Sequence, residues 1–159
     1  MKKLLAFPLL SVVAFSVFAQ KSWTPANMIT YNRLTGAIIS PDGKNVAYTV
    51  STPQMEGEKS EFLTHIWVAS ADGSNTHQFT FGDKSCDNPQ FSPDGKWLSF
   101  ISARKEDKNQ LYVMSMAGGE AQQITKTKNS VSGYRWAPDG KRIAFIMVDP
   151  LSGQEEKDD

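Results

Sequence analysis

Residues able to do chemistry are sparse in this chain of 159 residues, which carries two histidines, His65 and His77, and one cysteine, Cys86. No serine stands in the glycine, any residue, serine, any residue, glycine setting of a nucleophile elbow. No spacing joins a serine, an acid and either histidine into a hydrolytic triad. Two histidines and one cysteine also fall short of the four protein ligands a structural zinc site usually takes. Hence no catalytic, cofactor-binding or metal-ligating residue is nominated, and no cofactor is expected. His65 and His77 are placed at or near strand starts, and His77 is expected to face solvent. Cys86 lies in a polar stretch, where an unpaired, partly exposed thiol is expected; one cysteine permits no internal disulfide.

Carboxylates are more regularly placed. Asp42, Asp94 and Asp139 each sit between a proline and a glycine. Three such carboxylates invite a calcium or general-acid reading, yet aspartate before glycine in a tight turn is accounted for by hydrogen bonding to its own backbone. The acidic end, Glu155, Glu156, Asp158 and Asp159, reads as a solvated loop. The aromatics Trp67, Phe91, Trp97, Phe100, Tyr112, Trp136 and Phe145 recur at matching strand positions and are expected to pack sheet against sheet.

These positions belong to a repeat. Pro93 and Pro138 lie 45 residues apart, as do Trp67 and Tyr112, Gly73 and Gly118, and Thr80 and Thr125. Pro41 precedes Pro93 by 52 residues, so the first unit carries an insertion of seven, assigned to a polar loop over Pro53 to Glu61. One complete round, Asn88 to Thr125, holds four short strand candidates separated by turn signals, and four strands in a period of this length predict a propeller blade. Strands such as Trp97 to Ile101 are apolar on both faces, which suits a sheet sandwiched between two others.

The predicted class is therefore all-β, a fragment of about two and a half four-stranded propeller blades. Residues 1–19 read as a signal peptide: Lys2 and Lys3, an apolar run from Leu4 to Phe18, and small residues at Val17 and Ala19 before a cut. Residues 20–35 are assigned to a linker and a short helix over Ala26 to Leu34, started by Thr24 and Pro25. Blade 1 is placed at 36–80, blade 2 at 86–125 and a partial blade 3 at 131–159, whose outer strands are expected beyond Asp159. Removal of residues 1–19 leaves 140 residues of formal charge −2, which gives no reason to expect nucleic acid or an anionic membrane as partner.

Thr24 and Pro25 before a short helix, then Ile39 to Thr52, Gln78 to Thr80, and Asn88 to Ser102, resemble the N-terminal propeller of the prolyl oligopeptidase superfamily of serine peptidases, in particular its secreted acylaminoacyl-peptidase and dipeptidyl-peptidase V-like members. The periplasmic TolB proteins carry very similar units; the helix directly before blade 1 favours the peptidases. The resemblance implies a propeller gating peptide access to a C-terminal α/β-hydrolase domain that bears the catalytic serine, aspartate and histidine. No catalytic residue carries over to this chain. Glu155 and Glu156 lack the pattern around the amine-binding glutamates of dipeptidyl peptidase IV-like members. The implied parent is an exported, periplasmic or secreted serine peptidase acting on oligopeptides; the alternative is a noncatalytic TolB-like propeller that binds partner proteins.

Overall fold

A computed structural model describes residues 24–56, 59–105 and 107–147. The signal segment 1–19 and the acidic stretch 155–159 lie outside them. Three antiparallel sheets follow one another along the chain. The first contains β1 (Arg33–Ile39), β2 (Asn45–Glu56), β3 (Lys59–Ser70) and β4 (His77–Gln78); the second contains β5 (Cys86–Phe91), β6 (Trp97–Ser102), β7 (Gln110–Ser115) and β8 (Gln122–Gln123). A third pairs β9 (Val131–Trp136) with β10 (Ile143–Met147). In each the strands lie side by side in chain order, as in a propeller blade.

The sheets are copies in register. Ile39 pairs with Val46, Phe91 with Leu98 and Trp136 with Ile143, each at the end of a first strand and seven residues from its partner. Each pair is closed by the same turn, whose glycine takes a positive φ (Gly43 74°, Gly95 70°, Gly140 68°) that a side chain would oppose. Successive turns also stack, since a Cβ on Gly95 would meet Pro41 Cδ at 3.8 Å, and one on Gly140 would meet Pro93 Cδ at 3.7 Å.

The core lies between the sheets. Ala47, Ile66, Leu98, Phe100 and Tyr112 form one buried cluster, and Ile101, Leu111, Val131 and Tyr134 a second. Phe100 and Tyr112 stack with ring centroids 5.8 Å apart. Leu98 to Ser102 are all buried, so β6 is covered on both faces. By contrast β10 leaves Ile146 67% exposed, because no further sheet covers its outer face among the described residues.

Five sequence expectations need correction. The helix α1 covers only Pro25–Thr30, with no side-chain cap from Thr24; Arg33 and Leu34, expected in the helix, pair with Ser51 and Val50 of β2. Six residues cannot offset helix nucleation, and the ladder to β2 claims the rest. The stretch Pro53 to Glu61, read as a loop, is mostly strand: Pro53 opposes Phe62 and Gln54 opposes Glu61, which lengthens the β2–β3 hairpin into an arm. Cys86 opens β5 and is fully buried. The fourth strands, expected over 77–80 and 120–125, keep only two ladder residues each. Of the aromatics expected in the core, Trp97 and Phe145 are 38% and 42% exposed, lining a groove between the second and third sheets.

Candidate functional site

Among the described residues the geometry that stands out lies in the devices that close each turn, complete each sheet and lock one sheet onto the next. The aspartate turns come first. Ser40 Oγ donates to Asp42 Oδ1 at 2.6 Å and accepts from the Asn45 amide at 2.9 Å, while the Lys44 amide reaches the same carboxylate at 3.1 Å. Ser92, Asp94, Lys96 and Trp97 repeat this arrangement at 2.6, 3.1 and 3.0 Å. Hydrogen bonds from Ser40 and Ser92, followed by those from the backbone amides, hold both carboxyls below the usual aspartate value. In the third turn Ala137 replaces the serine, and Asp139 instead takes the Lys141 amide at 2.9 Å and the Arg142 guanidinium at 3.0 Å. All three carboxylates are occupied by their own turns. Among the described residues, no cluster of histidine, cysteine, aspartate or glutamate is placed to hold a metal.

A second device ties the end of each sheet to its third strand. Thr80 Oγ1 accepts from the Ile66 amide, and Thr125 Oγ1 from the Leu111 amide, both at 2.9 Å. Gln78 Nε2 donates to the Thr80 carbonyl at 2.7 Å, and Gln123 Nε2 to the Thr125 carbonyl at 2.8 Å. Both threonines are buried. These bonds replace the strand ladder that is lost after two residues, which is why β4 and β8 are so short.

A third device joins the second sheet to the third. Ser99 Oγ donates to the Gln90 carbonyl at 2.9 Å and accepts from Trp136 Nε1 at 2.8 Å. Gln90 Nε2 donates to the Tyr134 carbonyl at 2.8 Å, and the Tyr134 hydroxyl donates to the Asn88 carbonyl at 2.7 Å. Burial pushes the Tyr134 phenol well above its ordinary value, against smaller opposing effects of Ser99 and Arg135. That carbonyl is presented by a bulge, since Asn88 has φ 53° and the β5–β6 register slips between Asp87 and Gln90. Gly36 in β1, with φ 62°, occupies the same place in the first sheet. Beside Asn88 and Gln90 lies an open groove of about 300 Å³, bounded across by Tyr134, Arg135 and Phe145.

The histidines fall in different settings. His77 is exposed, its Nδ1 3.0 Å from the Asn75 carbonyl. His65 lies within β3 rather than at its start, half-buried, with Nδ1 3.4 Å from Thr80 Oγ1. Nearby, Arg104 donates to the Phe81 carbonyl at 3.1 Å and approaches Cys86 Sγ at 3.5 Å. Its guanidinium stands 5.3 Å from the Phe100 ring centroid. Sequence reasoning missed the bulges, the Ser99 seam and Arg104. Only the positive-φ demand at Gly36 left a trace, in a glycine among strand formers.

The family description "TolB beta propeller domain" matches residues 22–154. The chain is similar to the "Uncharacterized peptidase YuxL" of Bacillus subtilis, at 40% identity over 72 residues, 45% of this chain and 11% of that protein. It is similar to "Dipeptidyl-peptidase 5" of Porphyromonas endodontalis, at 32% identity over 79 residues, 50% of this chain and 11% of that protein. The matched stretch thus spans about a tenth of the length of these curated relatives. Among solved structures, Pyrococcus horikoshii acylaminoacyl peptidase superposes with a TM-score of 0.66 at 19% identity, over 85% of this chain and 20% of that one. TolB from Acinetobacter baumannii superposes with a TM-score of 0.53 at 25% identity, over 74% of this chain and 27% of that one.

Proposed function

The chain belongs to the TolB beta propeller domain family, and we infer that it forms the opening blades of the propeller of an exported serine peptidase that cleaves oligopeptides. The observation that carries this reading is the identity to two proteins named as peptidases, in stretches that cover about half of the chain. In the proposed parent the propeller restricts entry to peptides and their termini. A separate α/β-hydrolase domain supplies the serine ester and oxyanion hole of acyl transfer. The residues of this chain contribute rigidity. The threonine locks stiffen each sheet, and turn stacking through Pro41 and Pro93 together with the Ser99 seam holds successive sheets against one another, as a wall that admits by size must be held. Export rests on Lys2, Lys3 and the apolar run that follows them.

The second reading, a noncatalytic TolB-like propeller that binds partner proteins, is favoured by the family description and by the superposition on TolB. The test is to express the gene from its start codon to its stop codon and assay the purified product on chromogenic dipeptide substrates. The peptidase reading expects hydrolysis abolished by a serine-directed inhibitor, and none from residues 20–159 alone. A product that ends in blades and is inert selects the binding module.

A further inference from the structure

One end of the second sheet, where the β6–β7 hairpin turns and the connector to β9 leaves, is basic. Residues 104–109 and 125–130 hold Arg104, Lys105, Lys108, Lys126 and Lys128 against two carboxylates, Glu106 and Asp107. The two segments are tied into one surface. Lys108 Nζ donates to the Lys128 carbonyl at 2.5 Å, the Asn109 amide to Ser130 Oγ at 3.1 Å, and Gln110 Nε2 to the Thr127 carbonyl at 3.0 Å. Lys105, Lys108, Lys126 and Lys128 are exposed. Among the described residues none of these four lies in an ion pair; the pairs found there, Lys96 with Asp94 and Arg142 with Asp139, close turns at the opposite end of the sheets. Like charges gathered on one rim repel one another, so the surface favours an anionic occupant.

The chain carries its own anionic segment to that rim. β10 runs away from the turn at Gly140 and ends at Met147, which pairs with Val131; the Val131 amide in turn donates to the Asn109 carbonyl at 2.8 Å. Val131 directly follows the basic connector, so the chain leaves β10 beside it. Residues 148–159 hold Asp149, Glu155, Glu156, Asp158 and Asp159 against Lys157. Lys128, three residues before Val131, lies at most about 11 Å from it, and the paired Cα atoms add about 5 Å. The eight residues from Met147 to Glu155 can span up to about 28 Å, ample for that distance of about 16 Å. We propose that Glu155, Glu156, Asp158 and Asp159 dock on Lys105, Lys108, Lys126 and Lys128, a clasp of opposite charges from the third sheet to the second. The Ser99 seam joins the same two sheets by uncharged hydrogen bonds. The clasp adds a tie that salt weakens, because the reach of exposed charges shrinks from about 10 Å at about 0.1 M salt to about 3 Å at about 1 M. It is independent of whether the parent is a peptidase.

The test is carbodiimide cross-linking of the complete gene product, dilute and purified, in which unlabelled and isotope-labelled protein are mixed equally and the links are mapped by mass spectrometry. The reagent joins a carboxylate to an amine only where the two touch. Links should run from residues 155–159 to Lys105, Lys108, Lys126 or Lys128 within one chain, and should fall several-fold at about 1 M salt. Lysine acylation gives a second readout. In the variant Glu155→Gln, Glu156→Gln, Asp158→Asn, Asp159→Asn, the acylation rates of Lys126 and Lys128 should rise several-fold while those of Lys44 and Lys141, at the opposite end, hold. No such link, links mainly between chains or to lysines elsewhere, links undiminished by salt, or acylation unchanged in the variant would overturn the proposal; if the variant fails to fold, the salt dependence of the links in the unsubstituted protein decides alone.

Discussion

Replacing Thr125 by valine keeps the shape of the side chain and removes one oxygen. That oxygen accepts the Leu111 amide at 2.9 Å and donates to Gln110 Oε1 at 2.8 Å. Gln110 Oε1 still receives the Thr127 amide at 3.1 Å, so the orphan is the Leu111 amide, in a residue with no exposed surface. Leaving a buried donor unsatisfied costs about 1–3 kcal/mol. Thr80→Val strands the Ile66 amide in the same way and should cost a similar amount. The two sites share no partner, so the double variant should lose about the sum. Urea unfolding monitored by tryptophan fluorescence reads these losses as shifts of the midpoint. Serine at either position keeps the oxygen and should recover most of the loss. A cost below about 0.5 kcal/mol at either threonine, within the range of ordinary surface substitutions, would refute the claim that these hydroxyls close the sheets.

Ser92→Ala should raise the Asp94 carboxyl toward its usual value, followed by carbon NMR; the sign is that Asp94 stabilises the fold above its unfolded value and ceases to do so as pH falls through the lower folded one. Gly95→Ala should cost about 1–2 kcal/mol in thermal unfolding from the left-handed backbone alone, because the added carbon meets Pro41 only at ordinary contact distance; no loss would mean the turn relaxes freely. Ile146→Lys should reduce light scattering by the isolated chain without lowering its unfolding midpoint, since this side chain, 67% exposed, stands on the face of β10 turned away from the second sheet; unchanged scattering would place the association elsewhere.

What the sequence made legible is local chemistry repeated at a fixed distance. The proline, aspartate and glycine of each turn carry their geometry in their residue types, and the spacing of Pro93 and Pro138 transferred it from one sheet to the next. The all-β class and the blade order followed from these alone. Hidden were features set by partners distant in sequence. Cys86 sits among polar neighbours, yet is buried because β6 covers it through Ser102. The polar arm beyond Pro53 is strand because β2 and β3 template each other in perfect register, which overrides composition. His65 and Gln110 share a register position, but no residue-type similarity announces it; their equivalence is visible only once Thr80 is seen against His65 and Thr125 against Gln110. The aspartates Asp42, Asp94 and Asp139 were legible as turn residues because their partners lie within three positions in the chain.

The proposal that this chain is part of a larger peptidase comes down to where a reactive serine sits. Labelling the complete gene product with a fluorophosphonate and mapping the modified peptide by mass spectrometry should find one labelled serine beyond residue 159, in a nucleophile elbow. A label on any serine of residues 20–159, or a complete product that takes up none, would contradict it.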